Sequence, residues 1–141
     1  MPVTVGQILD LLERIAPLEL AEEWDNVGLL VGSRDREVSC ILCALDLNQQ
    51  VLDEAVSVGA QMIITHHPVM FRARRNVCED DAEGRLLCNL IRKDIALAAM
   101  HTNFDNACPG VNDALAEKLD TKRADDARKV LEKDAGIMER L

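Results

Sequence analysis

Long hydrophobic runs are missing from this sequence, and with them several features that would place a chain in a familiar class. No apolar stretch approaches the roughly 18 uninterrupted residues that a membrane-crossing helix needs. The opening residues, MPVTVGQILDLL, carry neither the basic segment nor the small-residue cleavage site of a secretory signal. Positive charge is short. Against 25 Asp and Glu stand 16 Lys and Arg, and the net charge of −9 disfavours nucleic acid, whose phosphates are held mainly by Lys and Arg. Cysteine is odd in number: Cys40, Cys43, Cys78, Cys88 and Cys108 are scattered through expected strands and helices. That pattern argues against a disulfide framework and fits a reducing compartment, so a cytoplasmic location is expected. Aromatic residues are rarer still, with no Tyr, two Phe and the single Trp24, whose simplest reading is a core anchor. Histidine occurs only three times. Adjacent His66 and His67 close an apolar run in MIITHHPVMF, and His101 stands in a run of similar shape, ALAAMHTNFD.

What is present suffices for one core. The 141 residues, 48% hydrophobic and 29% charged, fit a single soluble domain. Thr4-Val5-Gly6-Gln7 has the form of a capping box ahead of the helical spacing Ile8, Leu11, Leu12, Ile15, and Pro17 ends that helix. Residues 28–31 (GLLV) read as a short strand stopped by Gly32. Residues 39–46 (SCILCALD) read as a strand covered on both faces, because the run is nearly continuously apolar. Asn48 caps the next helix, with Val51, Leu52, Ala55 and Val56 at helical spacing and Gly59 at its C-terminal left-handed turn. The strand QMIIT follows and ends at His66. A strand, a short helix and another apolar strand make a βαβ unit, which implies parallel strands joined by a right-handed crossover. The cycle repeats with a helix over 80–93, bearing Leu86, Leu87, Leu90 and Ile91 on one face, and the strand IALAAM, ending at His101. A helix over 111–119 and a charged helix over about 124–140 complete the chain, with Thr121 to Arg128 as a weakly packed linker. The expected fold is α/β: a mostly parallel sheet, helices on both faces, and ligands at the carboxyl ends of the strands. Residues 1–141 form one domain, with 121–141 as a helical tail whose apolar Val130, Leu131, Ile137, Met138 and Leu141 are free to cover a neighbouring surface.

Placement carries the functional reading. Open parallel sheets bind ligands beyond the carboxyl ends of their strands, and Asp46, the His66–His67 pair, and His101 with Asp105 all fall there. Imidazole and carboxylate together suit zinc, manganese, iron, cobalt or nickel, and no cysteine joins them to make a soft site. Adjacent strand residues point to opposite faces, so His66 and His67 are expected to serve two ions roughly 3.5–4 Å apart unless the backbone turns. Pro68 keeps His67 extended and ends the strand. The plainer alternative is a set of hydrogen-bonded surface histidines, with Asp46 as a helix cap or a solvated charge. Of His101 and Asp105, one can be a ligand and the other its outer partner. Arg72, Arg74 and Arg75 can hold a phosphate group, or simply form a solvated basic loop. Cys40 and Cys43 face opposite sides of a strand and read as buried small hydrophobes rather than a redox pair.

Five motifs in order resemble one family: EEWDNVGLLVG, CALDLNQQVLDEAV, IITHHPVMF, HTNFD and GVNDALAEKL, together spanning residue 5 to about 120. They are similar to the Nif-three-like dinuclear metal-centre proteins, also called GTP cyclohydrolase type-two homologues. The resemblance implies that His66 serves one metal, and His67 and Asp105 the other, with His101 beside the site. Trp24, Asp25 and Asn26 match the family's WDN signature. It also implies two divalent ions, ring-like homo-oligomers that are commonly hexamers, and a metal-dependent hydrolase acting on a nucleotide or another phosphate-bearing small molecule. Members of that family are roughly twice this length, and their second half supplies a further histidine and a glutamate. By this resemblance residues 1–141 are expected to carry an incomplete site, three ligands to be shared between two ions. A non-catalytic metal-binding or interaction scaffold is the alternative.

Overall fold

Thr4 opens the first helix through the expected capping box. In the computed structural model, which describes residues 2–118, Gln7 donates its backbone N–H to Thr4 Oγ1 at 3.3 Å and Thr4 donates its own to Gln7 Oε1 at 3.0 Å. The tail expected at 121–141, with its linker and final helix, lies outside the described residues. The described residues form six strands, β1 (Val3–Thr4), β2 (Gly28–Val31), β3 (Glu37–Val38), β4 (Ile41–Ala44), β5 (Met62–Thr65) and β6 (Ala96–Ala99), and five helices. These are α1 (Val5–Ile15), α2 (Gln49–Ser57), α3 (Ala82–Arg92), the single-turn α4 (Thr102–Asp105) and α5 (Val111–Lys118), with a 3₁₀ turn at Leu18–Leu20. Asn48 caps α2 by accepting the Val51 N–H at 3.0 Å. Gly59 follows that helix at φ +68°, the left-handed geometry expected of it.

The expectation of a mostly parallel sheet holds only in part. The four-stranded sheet runs β2-β6-β5-β4; β4, β5 and β6 are mutually parallel, whereas β2 is antiparallel to β6, and β1 and β3 form a separate antiparallel ribbon. The two βαβ units account for the parallel part, because a crossover helix returns the chain to the same end of the sheet. β2 precedes both units and is bound by neither. One row of Cα partners crosses all four strands: Gly28 faces Ala99, Ala99 faces Thr65, and Thr65 faces Ala44. The start of β2 and the ends of the other three therefore lie at one edge.

Alternation along the strands divides the core. Ile63 and Leu97 pack with Leu52 and Ala55 of α2 and Leu90 of α3 on one face. Met62, Ala96 and Ala98 pack with Val5 and Ile8 of α1 on the other. Helices thus cover both faces, as expected. The run of alanines in β6 permits close approach: a Cβ on Gly32 would lie 2.9 Å from that of Ala96.

Several burial expectations are overturned. β4 is an edge strand, and one of its faces lacks a covering layer: Ile41 and Cys43 are exposed while Leu42 and Ala44 are half-buried, so the strand is not covered on both faces. Its open side borders an apolar groove of about 380 Å³ lined in part by Leu12, Ile15, Ile64 and Phe104. Cys40 is only half-buried, and no disulfide joins any of the five cysteines among the described residues. On α1 the packed stripe is Val5, Ile8, Leu9 and Leu12, leaving Leu11 and Ile15 exposed. Val56 and Ile91 also face outward, because α2 and α3 each lie on the sheet along a narrower stripe than their apolar residues span.

Leu90 and Ile91, neighbours on α3, separate these effects. Leu90→Ala empties a fully buried site and should lower unfolding stability by about 2–5 kcal/mol. Ile91→Ala should change it by no more than about 0.5 kcal/mol. Urea unfolding of the two variants measures the contrast, and equal losses would contradict the packing described.

Candidate metal centre

Where the three parallel strands end, each hands the chain to a polar residue. Ala44 leads to Asp46, Thr65 to His66 and His67, and Ala99 to His101. β5 stops at Thr65, and the following residues bend: Thr65 Oγ1 donates to the His67 carbonyl at 2.9 Å, while the His66 and His67 N–H groups still bond the carbonyls of Ala44 and Leu45. The expected opposite-face arrangement of the two histidines therefore does not apply. Their rings lie side by side, with centroids 5.0 Å apart. His101 completes a triangle, 5.1 Å from His66 and 5.4 Å from His67.

Hydrogen bonding orients all three rings alike. His66 Nδ1 meets the Met100 carbonyl at 2.8 Å, His67 Nδ1 meets Asp46 Oδ1 at 2.7 Å, and His101 Nδ1 meets Asp25 Oδ1 at 3.0 Å. A carbonyl and a carboxylate only accept, so each Nδ1 must donate, and a neutral ring then carries its lone pair on Nε2. This is the tautomer a metal-binding histidine takes when its other nitrogen is held by an oxygen. Each histidine can offer one ring nitrogen such that the three lie within 4.8 Å of one another. With bonds of roughly 2.0–2.1 Å, two nitrogens on one ion lie no more than about 4.2 Å apart. The triangle thus suits either a slightly tightened single site or ligands divided between two ions. The donor set, nitrogen with nearby carboxylate, fits borderline divalent ions such as zinc.

Asp105 comes to the same place by a route that its sequence spacing left open. HTNFD forms one helical turn: α4 begins after His101, and the Asp105 N–H bonds the His101 carbonyl at 3.0 Å. Asp105 Oδ1 stands 3.6 Å from His66 Nε2. Buried Asn103 holds this turn, donating to the Ala16 carbonyl and accepting the His101 N–H. The structure therefore brings together His66, His67, His101, Asp46, Asp25 and Asp105.

The antiparallel β2 delivers the 24–26 segment here as well. The Asp25 side chain is fully buried and accepts from Thr102 N and Thr102 Oγ1 as well as His101. Asn26 Nδ2 donates to the Met70 carbonyl at 2.7 Å. Trp24, expected in the core, is instead 58% exposed. Its isolation as the one tryptophan gave no sign of this. Of the three arginines, Arg74 is already engaged, at 2.7 Å from Asp81 and 2.8 Å from Glu83, which push its pKa up. Arg72 and Arg75 are exposed on the loop after His67.

Comparison with known proteins gives a consistent set of likenesses. Residues 3–140 match the family model described as Duf34/NIF3 (NGG1p interacting factor 3). A GTP cyclohydrolase 1 type 2 homolog of Streptomyces coelicolor is 46% identical over 116 residues, covering 82% of this chain and 41% of the relative. One from Clostridium perfringens is 44% identical over 115 residues, covering 82% and 44%. Among solved structures, a Bacillus cereus protein related to NIF3 superposes with a TM-score of 0.79 at 41% identity, covering 83% of this chain and 32% of that one. Reduced HcgD from Methanocaldococcus jannaschii gives 0.76 at 36% identity, covering 83% and 47%. The chain spans less than half the length of these relatives. Among the described residues, no helix is long and apolar enough to cross a membrane.

Asp25 supplies a test of how firmly the cluster is held. Burial alone would raise its pKa, but the bonds from Thr102, His101 and Asn26 together outweigh burial and hold it below the usual carboxylate value. On acidification the unfolded chain takes up this proton first, so the contribution is fully present above roughly pH 3.9 and is lost as pH falls through the lower folded value. Asp25→Asn cannot accept all these bonds and should cost about 1–3 kcal/mol at pH 7. Urea unfolding should show that the gap between wild type and variant narrows below about pH 4. A gap that widens with acid would contradict the assignment.

Proposed function

Because the chain belongs to the Duf34/NIF3 (NGG1p interacting factor 3) family, we propose that it binds divalent metal at the His66–His67–His101 cluster. In this reading the cluster is part of a dinuclear centre serving hydrolysis of a nucleotide or other phosphate-bearing small molecule. The observation that carries the proposal is the shared orientation of the rings: three Nδ1 atoms anchored on oxygen, three ring nitrogens within 4.8 Å. His66, His67 and Asp105 are the ligands proposed from the motifs, and the position of His101 adds it to the set. Asp46 and Asp25 act from outside, fixing His67 and His101.

A divalent ion bound here would supply positive charge that acidifies water to a pKa near 7 and polarises a carbonyl or phosphoryl oxygen. The chain's own residues then have defined tasks. The imidazoles hold the cation, the carboxylate of Asp105 offsets its charge, and Arg72 and Arg75 offer guanidinium groups to a phosphate. The name shared by the curated relatives, GTP cyclohydrolase 1 type 2 homolog, supports a hydrolytic reaction on a guanine nucleotide. A ring-like homo-oligomer in the cytoplasm completes the proposal. A second reading, a metal-binding scaffold without catalysis, draws support from the donor count: three imidazoles and Asp105, among the described residues, do not close two four-coordinate ions.

Calorimetric titration with zinc tests the first claim. Asp46→Ala should weaken binding by about 10–100-fold, as loss of an outer partner does, and His67→Ala should weaken it further. Unchanged zinc affinity in both variants would refute the site. Turnover of GTP or a phosphodiester with manganese or zinc supports the hydrolase, whereas retained metal without turnover supports the scaffold.

A further inference from the structure

This chain is nearly devoid of aromatic side chains, yet two of its three stand in water beside the histidines. Trp24 is 58% exposed and Phe71 is 52% exposed, and their rings meet at 5.7 Å between centroids with planes inclined by 60°. Both also touch the third histidine, with centroids 6.3 Å and 6.5 Å from that of His101. The remaining aromatic, Phe104, is half-buried and packs against Met100 and Ala107. A single exposed apolar side chain needs no explanation. Two that converge from loops 47 residues apart onto one imidazole are a different matter.

The backbone beneath them is anchored as a ligand site requires. Asp25, next to Trp24, is buried and bonded to His101 and Thr102, and Asn26 ties the same segment to the Met70 carbonyl, one residue before Phe71. The aromatic faces are therefore open while their supports are fixed. Little conformational freedom remains to be lost on binding, which is the condition under which stacking contributes most. A Trp face and an inclined Phe ring form a corner that accepts a flat heteroaromatic ring by stacking on one wall and edge contact with the other. Arg72 follows Phe71 directly, so a guanidinium is available on the same loop for an attached phosphate.

We propose that Trp24 and Phe71 form the binding site for a planar heteroaromatic ring, such as a nucleobase, and hold it against the His101 side of the cluster. The proposal deepens the reading of the cluster as a hydrolytic centre and rests on it for the consequence, because ring binding would place the substrate next to the imidazoles. Binding itself depends only on the aromatic corner.

The composition provides the assay. With one Trp and no Tyr, the intrinsic emission of the whole chain comes from Trp24. Titration of the full chain with guanosine 5′-monophosphate, in chelator and then with zinc, should quench that emission saturably, and ribose 5-phosphate should not. Phe71→Ala and Phe71→Leu should each weaken the nucleotide about tenfold, within the range for loss of one base-stacking partner, and Phe71→Tyr should restore it. Zinc affinity should be unchanged in all three, which shows that the cluster is intact. Non-saturable quenching, equal saturation by ribose 5-phosphate, or undiminished affinity in Phe71→Ala would overturn the proposal. So would a blue shift of Trp24 emission with rising protein concentration that the nucleotide does not reverse, since the pair would then be a contact between copies. Saturable quenching in a protein that binds no zinc would uphold the aromatic site while refuting the metal centre.

Discussion

One row of strand partners, Gly28–Ala99–Thr65–Ala44, determines where everything else can be. Because three of the strands run parallel and the fourth runs against them, this row marks the end of β4, β5 and β6 and the beginning of β2. Four loops consequently leave the sheet at the same level, carrying Trp24 to Asn26, Asp46, His66 to Phe71, and His101 to Asp105. A one-residue slip of any strand would reverse its faces, moving apolar residues off the helices that cover them. The two apolar layers, Ile63 and Leu97 against α2 and α3, Met62 and Ala98 against α1, therefore protect the register. Core packing and site geometry are the same constraint seen from two distances.

Above that row, the histidines are fixed by oxygen acceptors of very different character. Met100 offers a backbone carbonyl, Asp25 a fully buried carboxylate with several donors of its own, and Asp46 a carboxylate that is largely exposed. Screening by water weakens the last of these most, so His67 is held less firmly than His66 and His101. The strongly anchored pair is fixed by the fold, and the exposed ring is the one with most room to adjust. Electrostatics follow the same division: the site is ringed with acid, while the arginine beside two acidic partners, Arg74, secures the start of α3 rather than facing the cluster.

Much of this was legible in the sequence, and the exceptions have physical reasons. Caps were readable because their chemistry is local: Thr4 with Gln7, and Asn48 with Gly59, need only their immediate neighbours. The ends of β5 and β6 were readable because their apolar runs stop at histidines. The direction of β2, which lies outside both βαβ units, was not, since an apolar pattern is the same read either way, and this strand proved antiparallel to β6. Outward-facing Leu11, Ile15 and Ile91 were unreadable for a related reason: helical spacing identifies a stripe without revealing how much of it a neighbour covers. Trp24 shows the limit of composition, because a large apolar residue is usually interior and this one is not. Convergence of His101 with His66 and His67 was expected from the strand ends, but the side-by-side placement of His66 and His67 depends on the bend after Thr65, which takes both residues out of the extended geometry that alternates faces.

Each of the three imidazoles donates through Nδ1 to an oxygen, which leaves Nε2 as the nitrogen available to share a cation, and the proposed metal centre depends on that arrangement. Long-range proton–nitrogen NMR correlation reads this directly, and with only three histidines in the chain every ring can be followed. The Nδ1–H tautomer is expected at all three before metal is added, with all three Nε2 resonances moving together as zinc is titrated in. A ring carrying its proton on Nε2, or zinc that perturbs one histidine and leaves the others untouched, would contradict it.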